Sequence, residues 1–187
     1  MSAARRAVFP DRDGTLNVEV AAVARPEDLI PIDGIGDAVR KINDSGFLAI
    51  LVTNQAIIAR GECDAPMLRR IHVRLKDLFD HSGAHLDAIY FCPHHPDYGP
   101  PCGCRKPKPG MLLAAAGDFD NDLAQSWVIG DSAKDVQPAR NAGAQSALLR
   151  TGKGGADIGA EGMHAAPDGV FDTLGEAVNH ITGRAIS

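Results

Sequence analysis

Ala7-Val8-Phe9-Pro10-Asp11-Arg12-Asp13-Gly14-Thr15 is the stretch that decides the fold. Its first four residues are continuously apolar, which suits a short strand covered on both faces of a parallel sheet. Two carboxylates stand two residues apart directly after it, and Gly14 lets the chain turn sharply just beyond them. A plain turn built from aspartate and glycine gives the same letters. The rest of the chain decides between the two.

Four more apolar runs follow: Leu48–Val52, Ala88–Phe91, Ser126–Ile129 and Ala147–Leu149, with a last short strand expected near Val170. Helical segments separate them. Ile35, Ala38, Val39 and Ile42 recur at helical spacing, and Gly46 ends that helix. Leu68, Ile71, Leu75, Leu78 and Phe79 do the same behind Asp64 as N-cap. A third helix is expected to begin near Pro109 and a fourth to run to Gly143, with Pro138 early enough to leave it unbroken. The last helix is expected from Thr173 to Ile181. Strands alternating with helices predict an α/β fold, a parallel sheet with helices on both faces. The Gly/Ala-rich segment 151–167 reads as a flexible loop.

At 187 residues the chain fits one domain, 1–187, and its 44% hydrophobic and 23% charged residues are ordinary for a globular protein. No run reaches bilayer length, and the apolar stretch behind the basic Met1–Arg6 is too short for a secretory signal. A cytoplasmic location is expected. The formal net charge of -5 disfavours nucleic acid or an anionic membrane as partner. A small anionic substrate remains compatible with it, because Arg105, Lys106 and Lys108 form a local basic cluster.

The chemistry-bearing residues stand just after the strands: Asp11 after the first, Thr53 after the second, Cys92 after the third, Asp131 after the fourth. Ligands of open parallel sheets bind at that carboxyl edge. There the Asp11/Asp13 pair is expected to serve two roles, one carboxylate attacking phosphorus while the other delivers and removes protons. Mg²⁺ on hard oxygen ligands is expected to neutralise the phosphate, with Asp131 as the third carboxylate. Thr53, Asn54 and Gln55 offer a hydroxyl and two amides for phosphate oxygens, or form an ordinary polar strand end. Asp135 either supports the site through its neighbours or is a carboxylate favoured by a helix N-terminus. Lys106 is expected on the transferred phosphate and beside Asp11, Arg105 on a more distant anionic group, and Lys108 in solvent.

Cys92-Pro93-His94 and Cys102-Gly103-Cys104 are two pairs with one residue between ligands. Three thiolates and an imidazole make a closed tetrahedral zinc site, structural in role, within the loop 92–104. His95 is the rival imidazole, and His94 is preferred. Cys63 stands apart as a free thiol.

Together these motifs resemble the haloacid dehalogenase (HAD) superfamily, and within it the D-glycero-D-manno-heptose-1,7-bisphosphate 7-phosphatase family. The matching text is Asp11-Arg12-Asp13-Gly14-Thr15-Leu16-Asn17, Thr53-Asn54-Gln55 with Ile58-Ala59-Arg60-Gly61, Cys92-Pro93-His94-His95-Pro96, Cys102-x-Cys104-Arg105-Lys106-Pro107-x-Pro109-Gly110-Met111 and Gly130-Asp131. The likeness runs from Val8 to Lys153. It implies a Rossmann-like three-layer sandwich without a large cap domain, and the short interval from Asp13 to Gly34 agrees. It implies Asp11 as nucleophile and Mg²⁺ ligand, Asp13 as general acid and base binding Mg²⁺ through its backbone carbonyl, and Asp131 as the remaining ligand. Thr53, Arg105 and Lys106 then complete the catalytic set. Asn54, Gln55, Ala56, Ser132 and the flap Glu19, Val20, Ala21 and Ala22 lie near the sugar.

The implied partner is a small sugar phosphate, taken by a monomer. The reaction would release the C7 phosphate of the heptose bisphosphate, feeding nucleotide-activated heptose for a surface glycan such as lipopolysaccharide. Three positions depart from the family pattern. Pro10 replaces an aliphatic residue, the flap Glu19-Val20-Ala21-Ala22-Val23 lacks His-Gly-Tyr-Val, and Gln55-Ala56-Ile57 replaces Gln-Ser-Gly. Histidinol-phosphate phosphatase is the neighbouring enzymatic alternative, and a silent phospho-ligand binding module the non-enzymatic one.

Overall fold

Apolar residues on successive strand positions face opposite sides of a sheet, and here both sides are covered. In a computed structural model describing residues 4–158 and 164–183, six strands form one all-parallel sheet in the order β3-β2-β1-β4-β5-β6. They are β1 Ala7–Pro10, β2 Leu48–Asn54, β3 Ala88–Cys92, β4 Trp127–Gly130, β5 Gln145–Leu149 and β6 Gly169–Phe171. Four α-helices connect the first five strands in turn, α1 Ile35–Asp44, α2 Ala65–Asp80, α3 Gly110–Phe119 and α4 Ala133–Ala142, and α5 Leu174–Thr182 follows β6. Val8, Ala49, Leu51, Trp127 and Ile129 pack with α1, α2 and α5 on one face. Their neighbours Ala7, Phe9, Leu48, Ile50 and Val128 pack with α3 and α4 on the other. The result is a three-layer α/β sandwich, as expected.

Local chemistry sets the helix ends. The Asp64 carboxylate accepts the Met67 N–H at the start of α2, and the Thr173 hydroxyl accepts the Glu176 N–H at the start of α5. α4 begins at Ala133, so Pro138 is its sixth residue and not part of the first turn. The helix nevertheless runs on to Ala142, because Val136, Pro138 and Ala139 are buried on the face it shares with the sheet. Pro10 also ends a central strand. Its register partner across the β1–β4 seam is Ile129, while the β1–β2 ladder stops at Val8 and Ala49. The missing N–H is tolerated at the point where β1 leaves the sheet.

β2 and β3 reach further than apolarity suggested. Asn54 pairs in register with Cys92, so Thr53, Asn54 and Cys92 are the last rungs of strands and not loop residues. Residues 151–158 form successive turns. The rest of the Gly/Ala-rich segment includes 159–163, which lie outside the described residues, as do 1–3 of the basic amino terminus. No helix among the described residues is long and apolar enough to cross a membrane.

Candidate active site

β1 sends the chain to one side of the sheet through β2 and β3, and β4 returns on the other side of β1. The seam between β1 and β4 is therefore the topological switch point, where a crevice opens at the carboxyl edge. Asp11 leaves β1 and Asp131 leaves β4 at that seam. Carboxylate oxygens of Asp11, Asp131 and Asp135 lie within 4.8 Å of one another. The cavity above them, about 200 Å³, is lined by Asp11, Asp13, Thr53, Arg105, Lys106 and Asp131, among others.

Lys106 is almost fully buried at the centre of this group. Its Nζ donates to Asp11 Oδ2 at 2.9 Å, to Asp135 Oδ1 at 2.5 Å and to the Val52 carbonyl at 3.0 Å. Burial alone would lower its pKa, yet the two carboxylates outweigh that and raise it, so the cation is firmly retained. One ammonium against three carboxylates leaves surplus negative charge. Asp11 is pushed up to about 6, first by burial, against the pull of Lys106 and with the push of Asp135 and Asp13. Asp131 is likewise pushed up to about 6, mainly by burial.

Asp13 has its carboxylate on four donors. Arg12 reaches it through Nε at 3.1 Å and Nη2 at 2.9 Å, Asn17 through Nδ2 at 3.0 Å and Gln55 through Nε2 at 3.0 Å. Gln55 Nε2 also donates to the Thr53 hydroxyl. Asn54 points its amide at the backbone of Lys106, donating to the carbonyl at 3.1 Å and accepting the N–H at 3.0 Å. Both ends of a group expected on substrate are thus occupied in fastening the Lys106 loop, although Asn54 still lines the cavity. Ser132, also expected near the sugar, donates its hydroxyl to Asp135 Oδ2 at 3.0 Å. Asp135 is the brace that holds both Ser132 and Lys106. Glu19, Val20, Ala21 and Ala22 form one wall of the cavity, and Ala56 another. Arg105 lines its mouth, with Nη1 donating to the His94 carbonyl at 2.9 Å.

Sequence reading missed the strap that closes the site from the far side. The Thr151 hydroxyl donates to the Gly14 carbonyl at 2.6 Å, and the Lys153 N–H donates to Asp131 Oδ2 at 2.6 Å. Gly14 and Gly152, both at positive φ, press against Asp131; a Cβ would come within 2.3 Å of its Oδ2 at Gly14 and 2.1 Å at Gly152. The glycine density of residues 152–155 was the available signal. The Lys153 ammonium faces Glu19 at 3.6 Å across the mouth, an exposed and therefore weak pair.

Beyond the cavity, Cys92, His94, Cys102 and Cys104 bring three sulfurs and an imidazole nitrogen within 4.8 Å of one another. Cys92 Sγ stands 3.2 Å from Cys104 Sγ and 3.7 Å from Cys102 Sγ, and His94 Nδ1 stands 3.4 Å from Cys104 Sγ. This group can hold a metal ion. His95, the rival, instead uses Nδ1 to accept the Asp97 N–H and cap the short 3₁₀ turn Pro96–Tyr98. Cys63 is free, as read.

A parallel α/β sandwich with carboxylates and a buried lysine gathered at its switch point defines a phosphoric monoester hydrolase of HAD-like fold. A family model described as HAD-hyrolase-like matches residues 103–177. The chain is 43% identical, over 95% of its own length and 95% of the relative's, to the D-glycero-D-manno-heptose-1,7-bisphosphate 7-phosphatase of Thermosynechococcus vestitus. It is 40% identical to the beta-anomer-named enzyme of Haemophilus ducreyi, over 95% of this chain and 98% of that one. Among solved structures, the D,D-heptose 1,7-bisphosphate phosphatase of B. bronchiseptica, complexed with magnesium and phosphate, superimposes with a TM-score of 0.87 at 34% identity, covering 96% and 99% of the two chains. The chain belongs to the D-glycero-D-manno-heptose-1,7-bisphosphate 7-phosphatase family.

Proposed function

We propose that the protein hydrolyses the C7 phosphate of D-glycero-D-manno-heptose 1,7-bisphosphate through a phosphoaspartate on Asp11. The observation that carries this reading is the buried Lys106 ammonium 2.9 Å from Asp11 Oδ2 at the β1–β4 switch point. It holds a carboxylate nucleophile and a phosphate-binding cation at one spot. An Asp11 oxygen attacks phosphorus, the bond from phosphorus to the sugar oxygen breaks, and that oxygen takes the proton of the Asp13 carboxyl. Water then attacks the phosphoaspartate, the Asp13 carboxylate removes its proton, and phosphate leaves with the Asp11 carboxylate restored. Thr53 holds a phosphate oxygen, Lys106 offsets the phosphate charge from its place on Asp11, Asp135 and the Val52 carbonyl, and Arg105 faces the second phosphate. Glu19, Val20, Ala21, Ala22, Asn54, Gln55, Ala56 and Ser132 enclose the sugar.

The surplus negative charge of Asp11 and Asp131 fits a hard divalent cation. Asp11, Asp131 and the backbone carbonyl of Asp13 would hold Mg²⁺, which supplies charge neutralisation on the phosphate oxygens. The Cys92, His94, Cys102 and Cys104 group fits Zn²⁺. Zn–S bonds of about 2.3 Å in a tetrahedron imply ligand separations of roughly 3.5–3.8 Å, close to the 3.2–3.7 Å found between ligand atoms. Four protein ligands leave no open position, so that ion shapes the Arg105-Lys106 loop. We read the protein as a cytoplasmic monomer feeding nucleotide-activated heptose synthesis.

The deciding experiment assays phosphate release with Mg²⁺ from both anomers of the bisphosphate, from histidinol phosphate and from common hexose phosphates. The expected result is a clear preference for a heptose bisphosphate. Asp11→Asn is expected to lose roughly a thousandfold or more of that turnover. Retained turnover in Asp11→Asn would remove the covalent mechanism, and a preference for histidinol phosphate would replace the substrate.

A further inference from the structure

Arg12 stands between the two aspartates and has no part in the reaction as derived so far. It is also the largest fully buried side chain, 1% exposed, among the described residues. With its neighbours Asp11 and Asp13 it lines the cavity, and it is the most buried of the three. Three contacts tie it to both carboxylates. Its backbone N–H donates to Asp11 Oδ1 at 2.7 Å, its Nε to Asp13 Oδ1 at 3.1 Å and its Nη2 to Asp13 Oδ2 at 2.9 Å.

We propose that Arg12 is a positioning residue for Asp13, its two-point guanidinium fork fixing the plane of the acid–base carboxylate beside the reacting phosphate. This rests on Asp13 being the proton-transfer group. A short carboxylate next to Asp11 and an incoming phosphate is repelled by both. Asn17 donates to its Oδ1 and Gln55 to its Oδ2, but from two separate neutral side chains that bring no charge against that repulsion. The planar fork binds both oxygens at once and carries the charge that offsets the repulsion. Burial removes the rotamer freedom that makes exposed arginines poor anchors.

The surroundings of Arg12 point the same way. Asp13 is the carboxylate with which Arg12 forms its ion pair. His72, buried on α2, is kept neutral: burial first and the charge of Arg12 next lower its pKa to about 4. A neutral imidazole neither repels the guanidinium nor draws it from Asp13. Arg12 Nη1 and His72 Nε2 are both buried with no protein partner. The interior has therefore accepted a charged side chain at a cost that hydrophobic packing does not explain.

The test separates proton delivery from folding by the leaving group. A sugar alkoxide needs a proton to depart, and p-nitrophenolate does not. Arg12→Met is expected to lower kcat on the sugar phosphate about a hundredfold or more, with KM unchanged. The first-turnover burst of p-nitrophenol from p-nitrophenyl phosphate should keep most of its rate. Arg12→Lys keeps the charge without the fork, and should show the same leaving-group dependence with a smaller loss. If Arg12→Met fails to fold by circular dichroism, Arg12→Lys carries the test alone. Equal losses on both substrates, or none on either, would overturn the proposal. Asp13→Asn is run alongside; no leaving-group dependence there would remove the role of Asp13 itself, and with it that of Arg12.

Discussion

Asp11 and Asp131 are carboxylates that the fold makes hard to ionise, and in the mechanism proposed above that difficulty is the handle by which a cation is selected. Each is pushed from 3.8 to about 6, chiefly by burial. With the folded value above the unfolded one, the native state holds more protons between about pH 4 and 6. The metal-free protein therefore loses stability as pH rises through that window. A divalent cation competes with the same protons, so Mg²⁺ affinity is expected to fall as pH drops through about 6. Calorimetric titration at pH 5.5, 6.5 and 7.5 in buffers of different ionisation enthalpy would measure the affinity and the protons released. An affinity indifferent to pH across that range would contradict this account. Both aspartates were legible in the sequence because each follows an apolar strand; the first motif alone also reads as a plain turn, and the companions after the other strands decided it. The burial of Arg12 was not, since a charged letter between two others reads as surface until the strand's inward direction is known.

At the scale of elements, the strap from Thr151 to Gly155 matters more than its composition suggested. Its Lys153 N–H holds Asp131 Oδ2, and Gly152 leaves room for that oxygen. Gly152→Ala would drive a methyl group into the carboxylate from a backbone at φ 55. The expected result is a tenfold to hundredfold loss in Mg²⁺ affinity, the range found when a group orienting a metal ligand is disturbed. Far-UV circular dichroism should stay unchanged. Calorimetry on the variant checks this, and wild-type affinity would mean that Asp131 does not depend on the strap. Turn-forming glycines announce a bend but not its partner, which lies far along the chain at β4. The ends of β2 and β3 were misjudged for a related reason: pairing of Asn54 with Cys92, and not hydrophobicity, sets where they stop. Pro138 reflects the same limit, because neighbours on the buried face decide whether a helix survives it.

Across the whole molecule, the cysteine cluster sits beyond the edge strand β3 and shapes the loop that carries Arg105 and Lys106. The grouping of those four side chains was legible because paired cysteines and a histidine at such short spacing suit a metal site. On the proposed zinc reading, removing the ion should act on stability and on catalysis together. At this chain length, a loss of about 2 kcal/mol lowers Tm by roughly 4–8 °C. A strong zinc chelator, and separately Cys102→Ser, is expected to produce at least that shift, followed by differential scanning fluorimetry. An unchanged Tm in both would assign the cluster no stabilising role.

The all-parallel sheet also gives the molecule a front and a back. Every group of the cavity stands where strands end, while Arg6, Phe47, Asp87, Ser126 and Asp168 precede the strands on the reverse side. On that reverse side the His85 side chain, just ahead of β3, is 62% exposed. An enzyme anchored to a bead or fused to a carrier through that position would keep its working face turned toward the solution.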